Sequence, residues 1–343
     1  MIPGGRWGSP SKGWPVAPHY EIVDVLSQRE EDSRQFAKRG WQLSFDSLPD
    51  IQRQGLLIEH DEVPTTWEQI EAGYYRHYDP LMASSLPSEL AALHEGDRTA
   101  VLKFAHKRGL LGYGCLKGPR EEPQEPEPLA WIWAHSETVR RVLKLIRLLR
   151  DRDNQLGQYL ASIVEQAPRA GSSFEAVWQQ YESLFPADRV TNVFFSHAQG
   201  RSPTQYAHWY IKGTNKPITA LEDQEQHEVG WFIVSRYINA NVETVAPQLA
   251  ISDAEGLFHS YQYPALITAV YIHLYDIAAG RTDIGECAYC GNFFPLPSNR
   301  SGPRPRYCPR TDGTTGESYC SLRIRKERWQ IKQKESTNGK AQG

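Results

Sequence analysis

The sequence lacks the short motifs with which many enzymes hold a catalytic metal, a nucleophile or a phosphate group. His227-Glu228 is followed by Trp231, where a His-Glu-x-x-His zinc site requires its second histidine. No Gly-x-Ser-x-Gly nucleophile elbow and no phosphate-binding loop occurs, and the eleven histidines are dispersed along the chain. We therefore expect that the protein is not an enzyme.

Long apolar runs are also missing. A helix that crosses a bilayer needs about 20 apolar residues, and the best candidate, residues 264–279, is shorter and contains His273 and Asp276. The first ten residues show no apolar segment of the kind found in a signal peptide. We expect a cytoplasmic protein without a membrane partner, in which a disulfide framework would be out of place.

Cysteine is scarce, and its distribution is uneven. Four of the five cysteines fall within residues 287–320, at Cys287, Cys290, Cys308 and Cys320, whereas Cys115 stands far from them. A Cys-x-x-Cys turn directs two thiolates at one ion, and Gly291 allows the positive φ that such a turn needs. Four thiolates favour tetrahedral Zn²⁺.

Two other readings of these cysteines stay open, a disulfide pair and simple buried thiols. The ligand that is hardest to place from the sequence is Cys320. Zinc ribbons commonly present a second Cys-x-x-Cys pair, but Pro309 to Tyr319 separates Cys308 from Cys320 here. This segment is rich in Gly, Thr and Ser and can return the last cysteine to the metal.

The net charge of −3 conceals a strong asymmetry. Residues 287–343 carry 11 Lys/Arg against 4 Asp/Glu, a net charge of +7, and the preceding residues carry 27 against 37, a net charge of −10. A basic tail on an acidic body is the distribution expected of a nucleic-acid-binding protein. The alternative is that the tail is basic because it docks on its own acidic body.

Hydrophobic periodicity predicts a mainly α (α+β) fold, a helical body with a small β-hairpin and a C-terminal zinc-ribbon-like module. Helices are predicted at Asp97–Arg108, from Ser136 to about Gln166, at His227–Val242 and from Pro264, with the hairpin at 249–261. The basic face of the Ser136 helix is expected to be solvated. Four segments follow from this pattern: a disordered N-terminus at 1–18, a helical body at 19–280, a zinc-finger module with a basic helix at 281–335 and a disordered tail at 336–343.

The cysteine-rich segment resembles the CGNR-type zinc-finger proteins, a bacterial family. The resemblance rests on the order Cys-x-x-Cys-Gly-x-x-Phe, Ser-Asn-Arg-Ser, Arg-Tyr-Cys and Cys-x-x-Arg before a basic helix. It implies a helical N-terminal region, a C-terminal zinc finger with the four cysteines as ligands, and a role in transcription regulation. Arg323 would hold the place of the motif's arginine, whereas Ser321 and Leu322 stand where the family has Gly and Asn.

The leading hypothesis is a DNA-binding transcription regulator whose body senses a small-molecule effector or forms a homodimer. A set of basic residues on the loops and the last helix would contact phosphates, and Arg323 or Arg325 would reach a guanine edge. The competing hypotheses are a zinc-ribbon module that binds a protein or a small ligand, and an enzyme with its site in the helical body. The predicted DNA contacts are Arg300, Arg304, Arg306, Arg310, Arg323, Arg325, Lys326 and Arg328.

Overall fold

The structure is a computed structural model of the chain. It describes residues 14–17, 19–23, 55–59, 76–112, 127–164, 218–242, 245–252, 256–262, 265–296, 304–309 and 318–340. Within these ranges the chain is mainly α with small antiparallel sheets, which confirms the predicted fold class.

The first described part of the chain is a set of short strands. They are β1 (Trp14–Val16), β2 (Tyr20–Val23), β3 (Leu56–Glu59) and β4 (Arg76–Tyr78). Strand β1 pairs antiparallel with β4, and β2 pairs antiparallel with β3. The prediction of disorder over residues 1–18 was wrong for this strand, because Trp14 and Val16 are buried in the main core and the Trp14 indole donates to Leu110 O.

Two helices follow, α1 (Leu86–Ala91) and α2 (Arg98–Arg108). Helix α2 begins where the sequence predicts it, since Asp97 Oδ1 accepts a hydrogen bond from the backbone N–H of Ala100 at 2.9 Å. Its C-terminal residue, Arg108, is tied back to α1 by hydrogen bonds from its guanidinium to Glu89.

Residues 118–128 are acidic and rich in proline, which predicts a surface loop without regular structure, yet the last two of them form a strand. Strand β5 (Glu127–Pro128) pairs antiparallel with β3. The buried Glu127 carboxylate accepts hydrogen bonds from the backbone N–H groups of Leu111 and Gly112. A carboxylate that meets backbone donors in this way can be buried.

The longest predicted helix is divided in two. Helix α3 (Leu129–Asp151) starts before Ser136 and ends at Arg152, whose φ of +48° is left-handed. Helix α4 (Leu156–Val164) then begins. A left-handed residue cannot continue a right-handed helix, so the chain turns at this point.

Three elements complete the body. They are helix α5 (Asp223–Val242), the hairpin of β6 (Ala246–Ser252) and β7 (Gly256–Gln262), and helix α6 (Leu266–Ala278). The antiparallel register runs from Ala246 opposite Gln262 to Ser252 opposite Gly256, so the predicted hairpin is confirmed and is longer than expected.

The C-terminal part contains a second hairpin and a long helix. They are β8 (Asp283–Glu286), β9 (Phe293–Leu296) and α7 (Tyr319–Lys340). The predicted disorder from Ser336 was wrong as far as Lys340, because α7 continues to that residue.

Helix α3 lies at the centre of the main core and packs against α1, α4 and α5. Its buried residues include Trp131, Ile132, Leu143 and Ile146, each at most 1% exposed. In the part of the chain that the structure describes, no helix combines the length and apolarity that a membrane crossing requires.

Candidate metal centre

The loop that joins β8 to β9 carries the first two cysteines. The Cys287 N–H donates to Asn292 O at 2.9 Å, and the Gly291 N–H donates to Cys287 O at 2.9 Å. Gly291 has a φ of +70°, as predicted, and a Cβ there would meet no atom within 4 Å. Glycine is therefore favoured at this position by backbone conformation and not by space.

The other two cysteines come from separate segments that fold back on this loop. The Ala288 N–H donates to Arg306 O at 2.8 Å, which brings the 304–309 segment and Cys308 beside the loop. Cys320 lies in the first turn of α7. The long segment between Cys308 and Cys320 made Cys320 the hardest ligand to place from the sequence. It ends at the start of α7, which directs the Cys320 thiol towards the other three thiols.

All four Sγ atoms lie within 4.8 Å of one another, so the cluster could hold a metal ion. Ligands at about 2.3 Å from a tetrahedral centre are about 3.8 Å apart, a spacing compatible with this cluster. The Sγ atoms of Cys308 and Cys320 are 3.4 Å apart, well beyond the roughly 2.05 Å of a disulfide bond. The geometry therefore fits a four-thiolate site and not a disulfide.

The thiols differ in acidity. Burial raises the pKa of Cys287, but hydrogen bonds from the backbone of Cys290, Cys308 and Tyr289 outweigh burial and lower it to about 7. Burial raises the pKa of Cys290, and burial together with hydrogen bonding to the other thiols raises that of Cys320. Four thiolates at this separation would repel one another, and a divalent cation between them would remove the conflict.

The β8–β9 hairpin separates the cysteine cluster from the main core. Phe294 and Leu296 pack with Cys287, Cys308 and Cys320 in a small second core, which Tyr289 and Tyr307 flank. Ile284 and Phe293, on the opposite face of the same hairpin, belong to the main core. Side chains alternate across a strand, so one hairpin contributes to both cores.

Ion pairs join the module to helix α3. Glu286 of β8 contacts Lys144 Nζ and Arg147 Nε, each at 2.8 Å, and Asp283 contacts Arg150 at 3.0 Å. The prediction that this basic face of α3 is solvated was wrong, because the three cationic side chains are only 18–25% exposed and paired with carboxylates.

The predicted DNA-contact residues fall into three groups. Arg300 and Arg310 lie outside the described residues. Arg304 and Arg306 are exposed near Cys308, and Arg304 pairs with Asp151 at the end of α3 at 2.6 Å. The remaining four are exposed on α7: Arg323, Arg325, Lys326 and Arg328.

Helix α7 begins at the metal centre and then leaves it. Tyr289 O–H donates to Glu327 at 3.0 Å, and the Arg323 guanidinium lies 5.9 Å from the Tyr319 ring centroid. Every residue from 325 to 332 is exposed. The helix carries seven Lys/Arg and two Asp/Glu, a net charge of +5. The cysteine cluster thus lies at one end of an exposed basic helix.

The acidic residues that pair the module with α3, Asp283 and Glu286, were not among the predicted site residues. Their signal in the sequence is weak, because a carboxylate on a short strand resembles any solvated residue. The apolar run Phe293-Phe294-Pro295-Leu296 beyond Gly291 is a stronger signal and could have predicted β9.

Comparison of the chain with protein-family models, with curated proteins and with solved structures finds no match.

Proposed function

We propose that Cys287, Cys290, Cys308 and Cys320 hold one Zn²⁺ ion, and that the module built around it binds DNA through helix α7. The protein would then act as a DNA-binding transcription regulator. The observation that carries this proposal is that α7 starts at a member of the cysteine cluster and presents exposed cations over its next three turns. The order of the motifs shared with CGNR-type zinc fingers supports the same proposal.

The choice of Zn²⁺ follows from the donor set. Four sulfur donors suit Zn²⁺ or iron, and they disfavour Mg²⁺ and Ca²⁺, which prefer oxygen. A four-thiolate site leaves no open coordination position for water or substrate. The proposal accordingly gives the metal a structural role, in a module whose own core is small, and assigns no catalysis to the protein.

Metal content tests the first half of the proposal. We expect one zinc per chain by elemental analysis after dialysis against a mild chelator, and well below one in Cys320→Ser. The matched control is Cys115→Ser, which removes the one cysteine that is not among the four predicted ligands and should retain the metal. Full zinc retention by Cys320→Ser, or iron in place of zinc in the wild-type protein, would contradict this assignment.

The DNA half rests on electrostatics. Cations that replace phosphate counterions make binding steeply dependent on salt, by roughly one unit of slope for each phosphate contact. Arg325 and Arg328 lie about 140–160° around the helix axis from Arg323, at about 100° per residue, and all three are exposed. The helix would therefore supply non-specific affinity on more than one side. The body would serve as a sensor or dimerisation domain, which stays a prediction.

An electrophoretic mobility shift on mixed genomic DNA fragments, across a salt series, tests this half. We expect retardation that weakens steeply with salt, and a loss of at least tenfold in affinity in the Arg323→Ala, Arg325→Ala, Arg328→Ala triple variant. The control carries the same charge change on exposed residues outside α7, Lys103→Ala, Lys107→Ala and Arg281→Ala. Zinc-loaded protein that fails to retard DNA at low salt, or equal loss in the control, would overturn the proposal.

A second candidate is a module that docks proteins without DNA, and the ion pairs at its base favour it. Arg304 pairs with Asp151, and the two β8 carboxylates pair with cations of α3. Part of the module's charge is therefore already neutralised by ion pairs within the chain. These contacts involve the base of the module and leave residues 325–332 of α7 exposed. The mobility shift separates the two candidates.

A further inference from the structure

Helix α7 exposes a large aromatic side chain that no part of the main core uses. Trp329 is 61% exposed, on a helix that is otherwise strongly polar. Leu322 precedes Trp329 by seven residues, about two turns, and lies on the same side of the helix, so it is the nearest apolar partner that the helix itself offers. Leu322 is half-buried near the module, whereas Trp329 remains in solvent. An exposed indole at this position calls for an explanation outside the fold.

The neighbours of Trp329 on the helix surface are cationic. Residues three and four apart on a helix are neighbours, which places Arg325 and Lys326 one turn before the indole and Lys332 one turn after it. All three are exposed. Cys320 and Trp329 are about 180° apart around the helix axis, at about 100° per residue. Trp329 therefore stands among positive charges on the side of α7 opposite to Cys320.

A lipid surface does not explain this arrangement. Among the α7 side chains whose burial the structure describes, the other exposed large hydrophobics are Tyr319, in the first turn, and Ile331, which is 55% exposed and lies about 160° around the axis from Trp329. Helices that lie on membranes gather their apolar residues on one face. Here Trp329 and Ile331 lie on nearly opposite sides of the helix, and the neighbours of Ile331 include Glu327 and Glu335, whereas no acidic residue is three or four positions from Trp329.

We infer that this face of α7 binds single-stranded DNA, with one unpaired base stacked on the Trp329 indole and with Arg325, Lys326 and Lys332 on the flanking phosphates. The inference rests on the proposed DNA-binding function and specifies the form of DNA that the helix contacts. Charge complementarity selects a polyanion, and the indole selects one that offers a free aromatic face.

The preference for a single strand follows from the shape of the duplex. In B-form DNA each base is stacked between its neighbours and presents only its edge to the grooves. An indole can stack on a base only when the base is unpaired or displaced. Aromatic side chains among cations are the arrangement by which proteins bind single strands with little sequence preference.

Fluorescence anisotropy tests the inference with the full zinc-loaded chain. The probes are a labelled 20-base strand of mixed sequence without self-complementarity and the duplex formed from the same strand. We expect Trp329→Ala to weaken single-strand binding about tenfold or more, the range for loss of one stacked base, and duplex binding less than twofold. Trp329→Phe keeps an aromatic ring and should retain most of the affinity. The matched control, Ile331→Ala, truncates an equally exposed apolar side chain on the other side and should change neither.

Two other results would overturn the inference in distinguishable ways. If Trp329→Ala weakens single-strand and duplex binding equally, or weakens neither, the inference that a base stacks on Trp329 is wrong, and the proposed DNA binding is unaffected. If the wild-type protein binds neither probe at low salt, both the proposed function and this inference are wrong. Far-ultraviolet circular dichroism of each variant shows whether α7 is retained.

Discussion

At the scale of the residue, Gly112 shows how one backbone position fixes the relation of two elements. Its φ is +94°, its N–H donates to the Glu127 carboxylate, and a Cβ at this position would lie 2.8 Å from the Ala265 Cβ just before α6. The adjacent Leu111 O accepts the Ile267 N–H at 3.0 Å. Gly112 thus allows the chain that follows α2 to pack closely against the start of α6.

We expect Gly112→Ala to be more destabilising than Gly96→Ala. Both positions have positive φ, where an L-residue costs roughly 1–2 kcal/mol. Gly96 has nothing within 4 Å of the added Cβ, whereas Gly112 would clash with Ala265. Urea unfolding should show a further loss of about 1 kcal/mol or more at Gly112. Equal losses would mean that the Ala265 contact relaxes freely.

Glu89 should make the stability of the body depend on pH. Burial on its own raises the pKa of Glu89, but hydrogen bonds from Arg108, Lys107 and Ser85 outweigh burial and lower it from 4.5 to about 2. A carboxylate whose pKa is lower in the folded state stabilises the protein above the unfolded pKa, and this stabilisation is lost as pH falls from about 4.5 to 2.

The measurement is the difference in unfolding free energy between the wild-type protein and Glu89→Gln. At pH 6 we expect the wild-type protein to be more stable by about 2 kcal/mol. At pH 3 the difference should be clearly smaller, because the wild-type carboxylate has begun to lose its advantage. A difference that is constant between pH 6 and pH 3 would show that Glu89 does not titrate with a lowered pKa.

At the scale of the element, the β8–β9 hairpin is the structural link between the body and the metal centre. Its Cys-x-x-Cys loop supplies two thiols, one face packs on the main core, and the other face packs on the cysteine cluster. Glu286 lies on the same face as Phe293, its partner in the antiparallel register, and meets the α3 cations there. The orientation of the metal centre therefore depends on α3.

We predict that Glu286→Gln weakens this link. It removes the charge that Lys144 and Arg147 share, and both cations are mostly buried, so the expected cost is about 1–2 kcal/mol in unfolding free energy. The control is Glu222→Gln, an exposed carboxylate before α5, which should cost less than about 0.5 kcal/mol. If the two variants lose equal unfolding free energy, the hairpin is held on the body by the apolar contacts of Ile284 and Phe293 and not by Glu286.

At the scale of the whole molecule, the two cores differ greatly in size. The main core includes residues of nearly every described element of the body, whereas the second core consists of the three buried thiols, Phe294, Leu296 and two flanking tyrosines. A cluster of this size cannot by itself offset the loss of conformational entropy on folding. The module should therefore depend on its metal, and the body should not.

Hydrogen exchange with and without a zinc chelator tests this division. On chelation we expect faster exchange in the Cys-x-x-Cys loop, the 304–309 segment and the start of α7. Exchange in the buried part of α3 should be unchanged, because its core contacts involve no cysteine of the cluster. Faster exchange throughout α3 would show that the two cores unfold as one cooperative unit.

Much of the candidate site could be predicted because its information is local. The cysteine spacing and Gly291 specify a turn that directs two thiols to one point, and α2 and the β6–β7 hairpin follow from capping and turn residues. The break at Arg152 is also local, but it was missed. Hydrophobic periodicity continues through the break, and the left-handed residue is an arginine and not the glycine that commonly marks such a turn.

The sequence by itself determined a helical body, a four-cysteine cluster and the basic charge of the C-terminal helix, since each depends on residue types at short spacing. Only the tertiary structure decided which charges meet and which side chains stay in solvent. Lys144 and Glu286 are 142 positions apart, so no local pattern could pair them. The burial of Glu127 and the exposure of Trp329 could not be predicted either. The sequence shows which chemical group a residue carries, but segments far along the chain determine what surrounds that group.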